Sequence, residues 1–344
     1  MTEKSFRDIP LTGSHYEIGR QVGERYKIWG KKELRVPEIS DAEFQTQLDI
    51  YQEFFPRYIE WLQGVADGAG FDEQSTLRSY LAGFLDLSTR PRNTCSVFGL
   101  HINNKVFVGR NYDWREAAEE SAKKLSVTFT DGSANNFTAL SDMSVWQMGT
   151  AANESQYVAV LDDAWNEHGL FVCLNGAPGP SRANGMSCVH IIQAVAEQCK
   201  TTEEAVKLIA QIPCNDPKIF TVIDKSGDMA VVEKPTDTAA HVVRSNRQII
   251  ATNHFQSDAL KVHNTEIFEH IPFHSTFGRQ AYLETCIANL VEPTLQDISG
   301  IIAKPPVMQN WRGINQGDTI TVWTEALELA SHSEKVTFAP LTSK

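Results

Sequence analysis

The sequence predicts an α+β fold in which helices are layered on antiparallel sheets. Three observations predict it. The first ninety or so residues carry apolar side chains at helical spacing. From Cys95 onward, short alternating runs dominate. The elements never settle into the βαβα alternation of a parallel sheet. At 344 residues the chain is long enough to bury a core without disulfides or metals.

Taken in order, Ser14 can cap a helix over 15–30, where Tyr16, Ile18, Val22 and Tyr26 share one face. Gly19 and Gly23 stand four apart within it, a spacing that in a soluble protein predicts close helix packing. Ser40 and Asp41 open a longer pattern over 44–69, with Leu48, Tyr51, Phe55, Ile59, Leu62 and Val65 at intervals of three and four. Pro56 should kink or split it, and Gly70 should stop it. A third helix is expected over 72–87. The character changes at Arg90-Pro91-Arg92-Asn93-Thr94. A hairpin follows, 95–102 and 106–110 about a turn at Asn103-Asn104. Further strands are expected over 124–130, 157–163 and 169–175. Two helices, 188–200 and 202–211, come next, the second opened by a capping box in Thr201-Thr202-Glu203-Glu204. Strands over 218–224, 229–234, 240–244 and 248–253, a helix over 277–290, and strands over 319–326 and 334–340 complete the chain.

Composition narrows the function. Lys and Arg number 31 against 43 Asp and Glu, a formal charge of −12, and such a surface repels phosphate backbones and anionic lipid. Nucleic acid and membrane are therefore not expected partners. No run approaches the ~20 apolar residues that span a bilayer, and the N-terminal stretch lacks the apolar core of a secretory signal. The six cysteines are scattered without a C-x-x-C pair, which reads as reduced thiols in a cytoplasmic protein. Phosphate-binding, dinucleotide, zinc-protease and nucleophile-elbow motifs are absent. His254, His263, His270 and His274 lie close in sequence, but Pro272 breaks any helix that would pair the last two, so no metal is expected.

The stretch richest in chemistry is Thr94-Cys95-Ser96-Val97-Phe98 followed by Gly109-Arg110-Asn111-Tyr112-Asp113-Trp114. The hairpin should return Arg110 and Asp113 to the neighbourhood of Cys95. A nearby cation lowers a thiol pKa, and a carboxylate can orient a base. On spacing alone, the favoured reading is plainer: an ordinary buried cysteine beside a strand-end salt bridge.

A resemblance changes that balance. The segment resembles the start of the mature chain in the N-terminal-nucleophile (Ntn) hydrolases of the choloylglycine hydrolase superfamily. There a Cys opens a strand and a G-R-N-x-D-W-like motif follows about fifteen residues later. The longer pattern is similar to the acyl-CoA:isopenicillin N (6-aminopenicillanic acid) acyltransferase branch. Its helical pro-segment with F/Y-E-I-G-x-x-x-G is matched by Tyr16 to Gly23. Asn166 to Asn175, Thr252-Asn253-His254, Ser275 to Arg279 and Gly317-Asp318-Thr319-Ile320 resemble later family segments in the same order.

The resemblance implies a four-layer αββα Ntn-hydrolase sandwich, with residues 1–94 as a helical pro-segment and 95–344 as the catalytic domain. It implies self-cleavage between Thr94 and Cys95, which leaves Cys95 with both a thiol and a free α-amino group. That amine, with a reference pKa of roughly 7.7–8.0, can take the thiol proton. It further implies that Arg110 and Asp113 orient the Cys95 amine and thiol, and that Asn175 donates to the oxyanion. Asn253 and Arg279 complete the polar floor. Read singly, Asn175 and Asn253 are also plausible turn formers and Arg279 a plausible surface charge.

The implied reaction is cleavage of a linear non-peptide C–N amide, penicillin- or bile-salt-like, or acyl transfer from an acyl amide or acyl-CoA, with no cofactor. Thr94 stands where the acyltransferase branch has Gly, so its β-branch should crowd the carbonyl under attack and slow maturation. Trp114, Trp146, Trp165, Phe98, Phe171 and Phe255 can line an apolar acyl site or simply belong to the core. Competing expectations are a Cys–His hydrolase with His101 or His254 as base, and an inactive member that binds a small amphiphile. Oligomeric state is open, homo-oligomers being common among soluble enzymes.

Overall fold

The computed structural model describes residues 7–28, 36–83, 95–116, 118–142, 144–145, 156–157, 161–180, 184–267, 275–310 and 319–340. Before Cys95 lie strand β1 (Asp8–Gly13) and helices α1 (His15–Ile28), α2 (Asp41–Phe54), α3 (Arg57–Ala69) and α4 (Glu73–Ala82). The hairpin β2 (Ser96–Ile102) and β3 (Lys105–Arg115) follows, then a short helix α5 (Ala118–Ser121). Next come β4 (Lys123–Phe129), β5 (Phe137–Ser141), the short pair β6 (Ser144–Val145) and β7 (Gln156–Tyr157), β8 (Asp163–Asn166) and β9 (Leu170–Gly176). Helices α6 (Cys188–Gln198) and α7 (Thr202–Gln211) precede β10 (Lys218–Asp224), β11 (Met229–Lys234), β12 (His241–Ser245) and β13 (Gln248–Ala251). A 3-10 helix (Lys261–Ile267), α8 (Thr276–Ala288), α9 (Leu295–Ile302), β14 (Thr319–Glu328) and β15 (Ser333–Phe338) end the described chain.

Local chemistry sets these boundaries. Ser14 and Glu17 cap α1 reciprocally: the Glu17 amide donates to Ser14 Oγ at 3.3 Å, and Ser14 N donates to Glu17 Oε2 at 2.8 Å. Pro56 splits the long pattern, with α2 ending at Phe54 and α3 starting at Arg57. Gly70 ends α3 in the left-handed region, φ 72°, where a side chain would be strained. Thr201 caps α7 by accepting from Glu204 N, but the Glu204 carboxylate returns to Lys200 N rather than to the cap residue. Asn103 and Asn104 both take positive φ, 52° and 58°, as a two-residue hairpin turn requires.

Among the described residues, two large sheets are stacked. One has eight strands in the order β1-β4-β5-β8-β9-β10-β11-β12, and the other five, β13-β2-β3-β14-β15. Alternation along each strand sorts the apolar residues into three cores. Val172 and Leu174 of β9 face the helices α1–α4, α6 and α7, together with Ile18, Tyr51, Leu62, Ile191 and Val195. Phe171 and Cys173 face the other way and meet Cys95, Val97, Val108 and Trp323 between the sheets. Phe98 and Leu100 of β2 face Leu283, Ile287 and Ile298 of α8 and α9. Helix, sheet, sheet and helix thus form four layers, the αββα arrangement.

The N-terminal segment differs from its all-helical expectation. Asp8–Gly13 is a strand, paired parallel to β4, with Ile9 and Leu11 buried. Pro10 and the short span hide it in the sequence; at a sheet edge a proline is tolerated because its missing N–H can face outward. Helices α1–α4 share one apolar core with α6 and α7 rather than enclosing their own. Helices α1 and α3 pack backbone to backbone: a Cβ on Gly19 would stand 1.9 Å from the Trp61 carbonyl oxygen, and one on Gly64 would stand 2.0 Å from that of Tyr16. Strands β5 and β8 and helix α9 were not expected; each is only four to eight residues long.

Candidate active site

Cys95 immediately precedes β2 and is fully buried between the sheets. In the β2–β3 ladder Val97 pairs with Arg110 and Ser96 with Asn111, so the far end of β3 returns to Cys95 as the hairpin predicts. Its Sγ lies 3.7 Å from the Asp113 carbonyl oxygen. Burial pushes the Cys95 thiol above its usual pKa, and the Arg110 charge opposes the rise only in part. A thiol in this position is protonated near neutral pH and needs a base to become a nucleophile.

Arg110 is fully buried and has a partner for each guanidinium nitrogen. Nε donates to Asp163 Oδ1 at 3.0 Å. Nη1 donates to Asn175 Oδ1 at 2.8 Å and to the Asn111 carbonyl at 3.0 Å. Nη2 donates to the Leu174 carbonyl at 2.7 Å. Burial works against its charge, but Asp163 together with Cys95, Cys173 and Glu325 more than restores it, and the net shift is upward. Asp163 also accepts from Trp323 Nε1 at 2.8 Å.

Chain topology brings the remaining groups to this point. The chain leaves the eight-stranded sheet after β12 and joins the five-stranded one as β13, beside β2. Residues 252 and 253 therefore emerge next to the end of β9. Asn175 Nδ2 donates to the Ala251 and Thr252 carbonyls, at 3.2 and 2.8 Å, so its amide hydrogens are committed to backbone in this state. Asn253 Nδ2 donates to the Gly176 carbonyl at 2.9 Å, and its backbone N–H to Thr276 Oγ1 at 2.8 Å. Arg279, in the first turns of α8, is buried rather than at the surface. It donates from Nη1 to the Cys95 carbonyl at 2.6 Å and to Ser96 Oγ at 2.8 Å, and from Nη2 to Asn253 Oδ1 at 2.8 Å. Burial lowers its pKa to about 10, so it stays charged at neutral pH. Asp113 Oδ1 accepts from Thr321 Oγ1 at 2.5 Å, its register partner on β14.

The six expected side chains thus converge on one buried patch. Thr94, the other side of the expected cleavage point, lies outside the described residues. Asp163, Trp323, Thr321, Ser96 and Glu325 join the patch without having been anticipated. Their signal is faint but present: Asp163, beside Asp162, and Glu325 are acids within otherwise largely apolar, buried strand runs.

His101 lies away from the patch, while His254 sits at its edge beside Asn253 and Thr276. His101 sits toward the opposite end of β2 and its Nδ1 meets the Asn246 carbonyl at 3.1 Å. His254 Nδ1 meets the hydroxyls of Thr252 and Thr276, at 3.1 and 2.9 Å, and burial lowers its pKa to about 4. His263 lies 4.0 Å from Asp237, while His270 and His274 fall outside the described residues. Among the described residues no three His, Cys, Asp or Glu are grouped to hold a metal ion, and no helix is long and apolar enough to cross a membrane. Of the aromatic candidates, Phe171 and Phe255 face the inter-sheet core, Phe98 faces α8 and α9, and Trp146 is outside the described residues.

Two stacked sheets between helical layers, with a cysteine at the head of a central strand and a buried polar patch around it, form the αββα arrangement expected of an Ntn-hydrolase fold. The family match agrees. Residues 101–275 match the acyl-coenzyme A:6-aminopenicillanic acid acyl-transferase family, and the chain belongs to that family. The matched span holds Arg110, Asp113, Asn175 and Asn253, with Cys95 and Arg279 just beyond its ends. No curated protein sequence matches the chain. Similar solved structures include a Caenorhabditis elegans N-acylethanolamine-hydrolyzing acid amidase ortholog, at 14% identity and TM-score 0.47, covering 72% of this chain and 100% of that one. A penicillin V acylase from Agrobacterium tumefaciens follows at 17% identity and TM-score 0.46, over 71% and 83%. A conjugated bile acid hydrolase variant from Clostridium perfringens has 13% identity and TM-score 0.44, over 71% and 89%.

Proposed function

We propose that the chain is a self-processing cysteine Ntn hydrolase or acyltransferase that opens a linear C–N amide through a thioester on Cys95. In maturation the Cys95 sulfur adds to the Thr94 carbonyl. The C–N bond breaks, its nitrogen takes the thiol proton, and water then cleaves the thioester to leave residues 1–94 and 95–344 as two chains. The freed α-amine becomes the base. In turnover it accepts the thiol proton as sulfur attacks the substrate carbonyl, then returns it to the leaving amine. Water completes hydrolysis, and a second amine completes transfer.

The observation that carries this reading is the grip on Cys95. Arg279 holds its carbonyl at 2.6 Å while Arg110 brings a charge near the thiol, so the residue is fixed in place and electrostatically assisted. Asp113 and Arg110 orient the amine and thiol. Asn175 and Asn253, the two amides at the junction of β9 and β13, supply the oxyanion donors once substrate displaces their present carbonyl partners. The substrate is an acyl amide or an acyl-CoA, the second in keeping with the family's description.

The test is denaturing gel and mass analysis of purified protein, paired with an amide panel of penicillin V, conjugated bile salts, N-acyl amino acids and N-acylethanolamines. In proportion to the 38.4 kDa chain, 94 residues make about 10 kDa and the other 250 about 28 kDa. Two such bands and turnover of one substrate class are expected, with Cys95→Ala full-length and inactive. Turnover by intact chain, or by Cys95→Ala, overturns the proposal.

A further inference from the structure

A second buried carboxyl stands beside the Arg110–Asp163 pair, and the mechanism above does not use it. Glu325 is on β14, directly opposite Arg110 in the β3–β14 ladder, and is fully buried. Its neighbours two along, Trp323 and Leu327, belong to the inter-sheet core, as do Val108 and Tyr112 on either side of Arg110. Arg110, Asp163 and Glu325 therefore share one enclosed space, fed by β3, β14 and β8.

The charges in that space do not balance if both acids are ionised. One guanidinium faces two carboxylates, and its hydrogens go to Asp163, Asn175 and two backbone carbonyls. Trp323 gives its indole N–H to Asp163 as well. Among the described residues, neither oxygen of Glu325 meets a donor. What it does meet is the Asp163 carboxylate. The other titratable groups around it, Cys173 of β9 and Glu334 of β15, bring no positive charge. A buried anion with no donor is far costlier than a neutral acid that donates to a neighbour.

We infer that Glu325 carries a proton and donates it to Asp163, and that it is thereby a positioning residue for Arg110. The bond fixes Asp163 in the orientation that holds Arg110 Nε, and the neutral acid leaves the guanidinium field directed toward Asn175 and Cys95. Burial together with the Asp163 charge raises the Glu325 pKa well above the carboxylate range, in keeping with the geometry. The inference rests on the proposed role of Cys95 only for its consequence, not for the location of the proton.

Two substitutions separate donor from shape. Glu325→Gln is neutral and still donates; Glu325→Met fills similar volume and cannot. The readouts are the infrared C=O stretch of a protonated carboxyl, compared between wild type and Glu325→Gln, and the rate of Cys95 alkylation by iodoacetamide against pH, followed peptide by peptide. The expected result is a protonated-carboxyl band that Glu325→Gln removes. Cys95 alkylation in Glu325→Gln should stay within about threefold of wild type, and in Glu325→Met it should slow about tenfold at neutral pH, one unit of thiol pKa. Absence of the band places the proton elsewhere and overturns the inference. So does equal reactivity of the Met and Gln variants, which makes the role one of packing, or equal loss in both, which makes the ionised form the functional one. Neither readout needs a substrate or chain cleavage, so failure of the Ntn reading would show as inactivity on the amide panel with the band unchanged.

Discussion

Arg279 and Cys95 lie 184 positions apart in sequence and meet at 2.6 Å, guanidinium Nη1 to carbonyl oxygen. The same side chain reaches Asn253 Oδ1, so one residue of the helical layer fixes both the proposed nucleophile and an amide at the end of the neighbouring strand β13. An ammonium cannot span both acceptors with the geometry of a planar fork. Arg279→Lys is expected to lower kcat on an amide substrate by about a hundredfold with KM changed less than threefold, the pattern of a lost transition-state arrangement. Steady-state kinetics on matured protein checks this.

Arg110 neutralises Asp163 in a fully buried site. Arg110→Met keeps much of the side-chain volume but leaves that carboxylate without its counter-charge. Truncating one member of such a pair costs about 3–5 kcal/mol. Chemical denaturation of the Cys95→Ala and Arg110→Met/Cys95→Ala proteins should show that difference, free of any effect of self-cleavage.

His190 on α6 is held between two tyrosines of the N-terminal helices: Tyr51 Oη lies 2.6 Å from Nδ1 and Tyr58 Oη 2.8 Å from Nε2. Burial lowers its pKa to about 3 from 6.5. Below pH 6.5 the unfolded chain binds a proton that the folded chain refuses, so stability falls as pH falls and is lost progressively down to about pH 3. The shift corresponds to roughly 5 kcal/mol over that window. Urea titrations at stepped pH should show a shallower acid loss in His190→Asn, whose amide does not titrate in that range.

Helix α1 crosses α3 with no room for a methyl group. Gly64→Ala would place a Cβ 2.0 Å from the Tyr16 carbonyl oxygen, and that backbone cannot swing aside as a side chain could. A loss of about 1–3 kcal/mol is expected, in the range of overpacked cores. Thermal unfolding of the variant measures it, with Gly300→Ala in α9 as a control; a Cβ there meets nothing within 4 Å, and the change should be neutral or stabilising by up to about 1 kcal/mol.

Much of this molecule is legible in its residues, for identifiable reasons. Pro56, Gly70 and the Asn103-Asn104 turn are local devices, acting through their own backbone, and each sets the boundary it predicts. The hairpin return of Arg110 and Asp113 to Cys95 is legible because antiparallel pairing fixes register over a short loop. What escapes is what depends on distant partners. Strand β1 contains a proline and pairs with a segment more than a hundred residues away. Arg279 is an unremarkable helix residue until β13 changes sheets and brings Asn253 beneath it; its role came from the family pattern, not from periodicity. Asp163 and Glu325 are visible only as acids in apolar runs, and nothing in a linear reading says that they face each other across two sheets.

The parallel pairing of β1 with β4 has a consequence for any two-chain form of this protein. A cut after Thr94 would sever the connection but not the ladder, since residues 8–13 would still occupy the outermost position of the eight-stranded sheet. Without them β4 would present a bare row of amides and carbonyls, open to recruitment by any passing strand. The severed piece would then act as a permanent selvedge, keeping the finished enzyme from fraying into aggregates, and a shortened gene beginning at Cys95 would yield a protein that clumps rather than one that works.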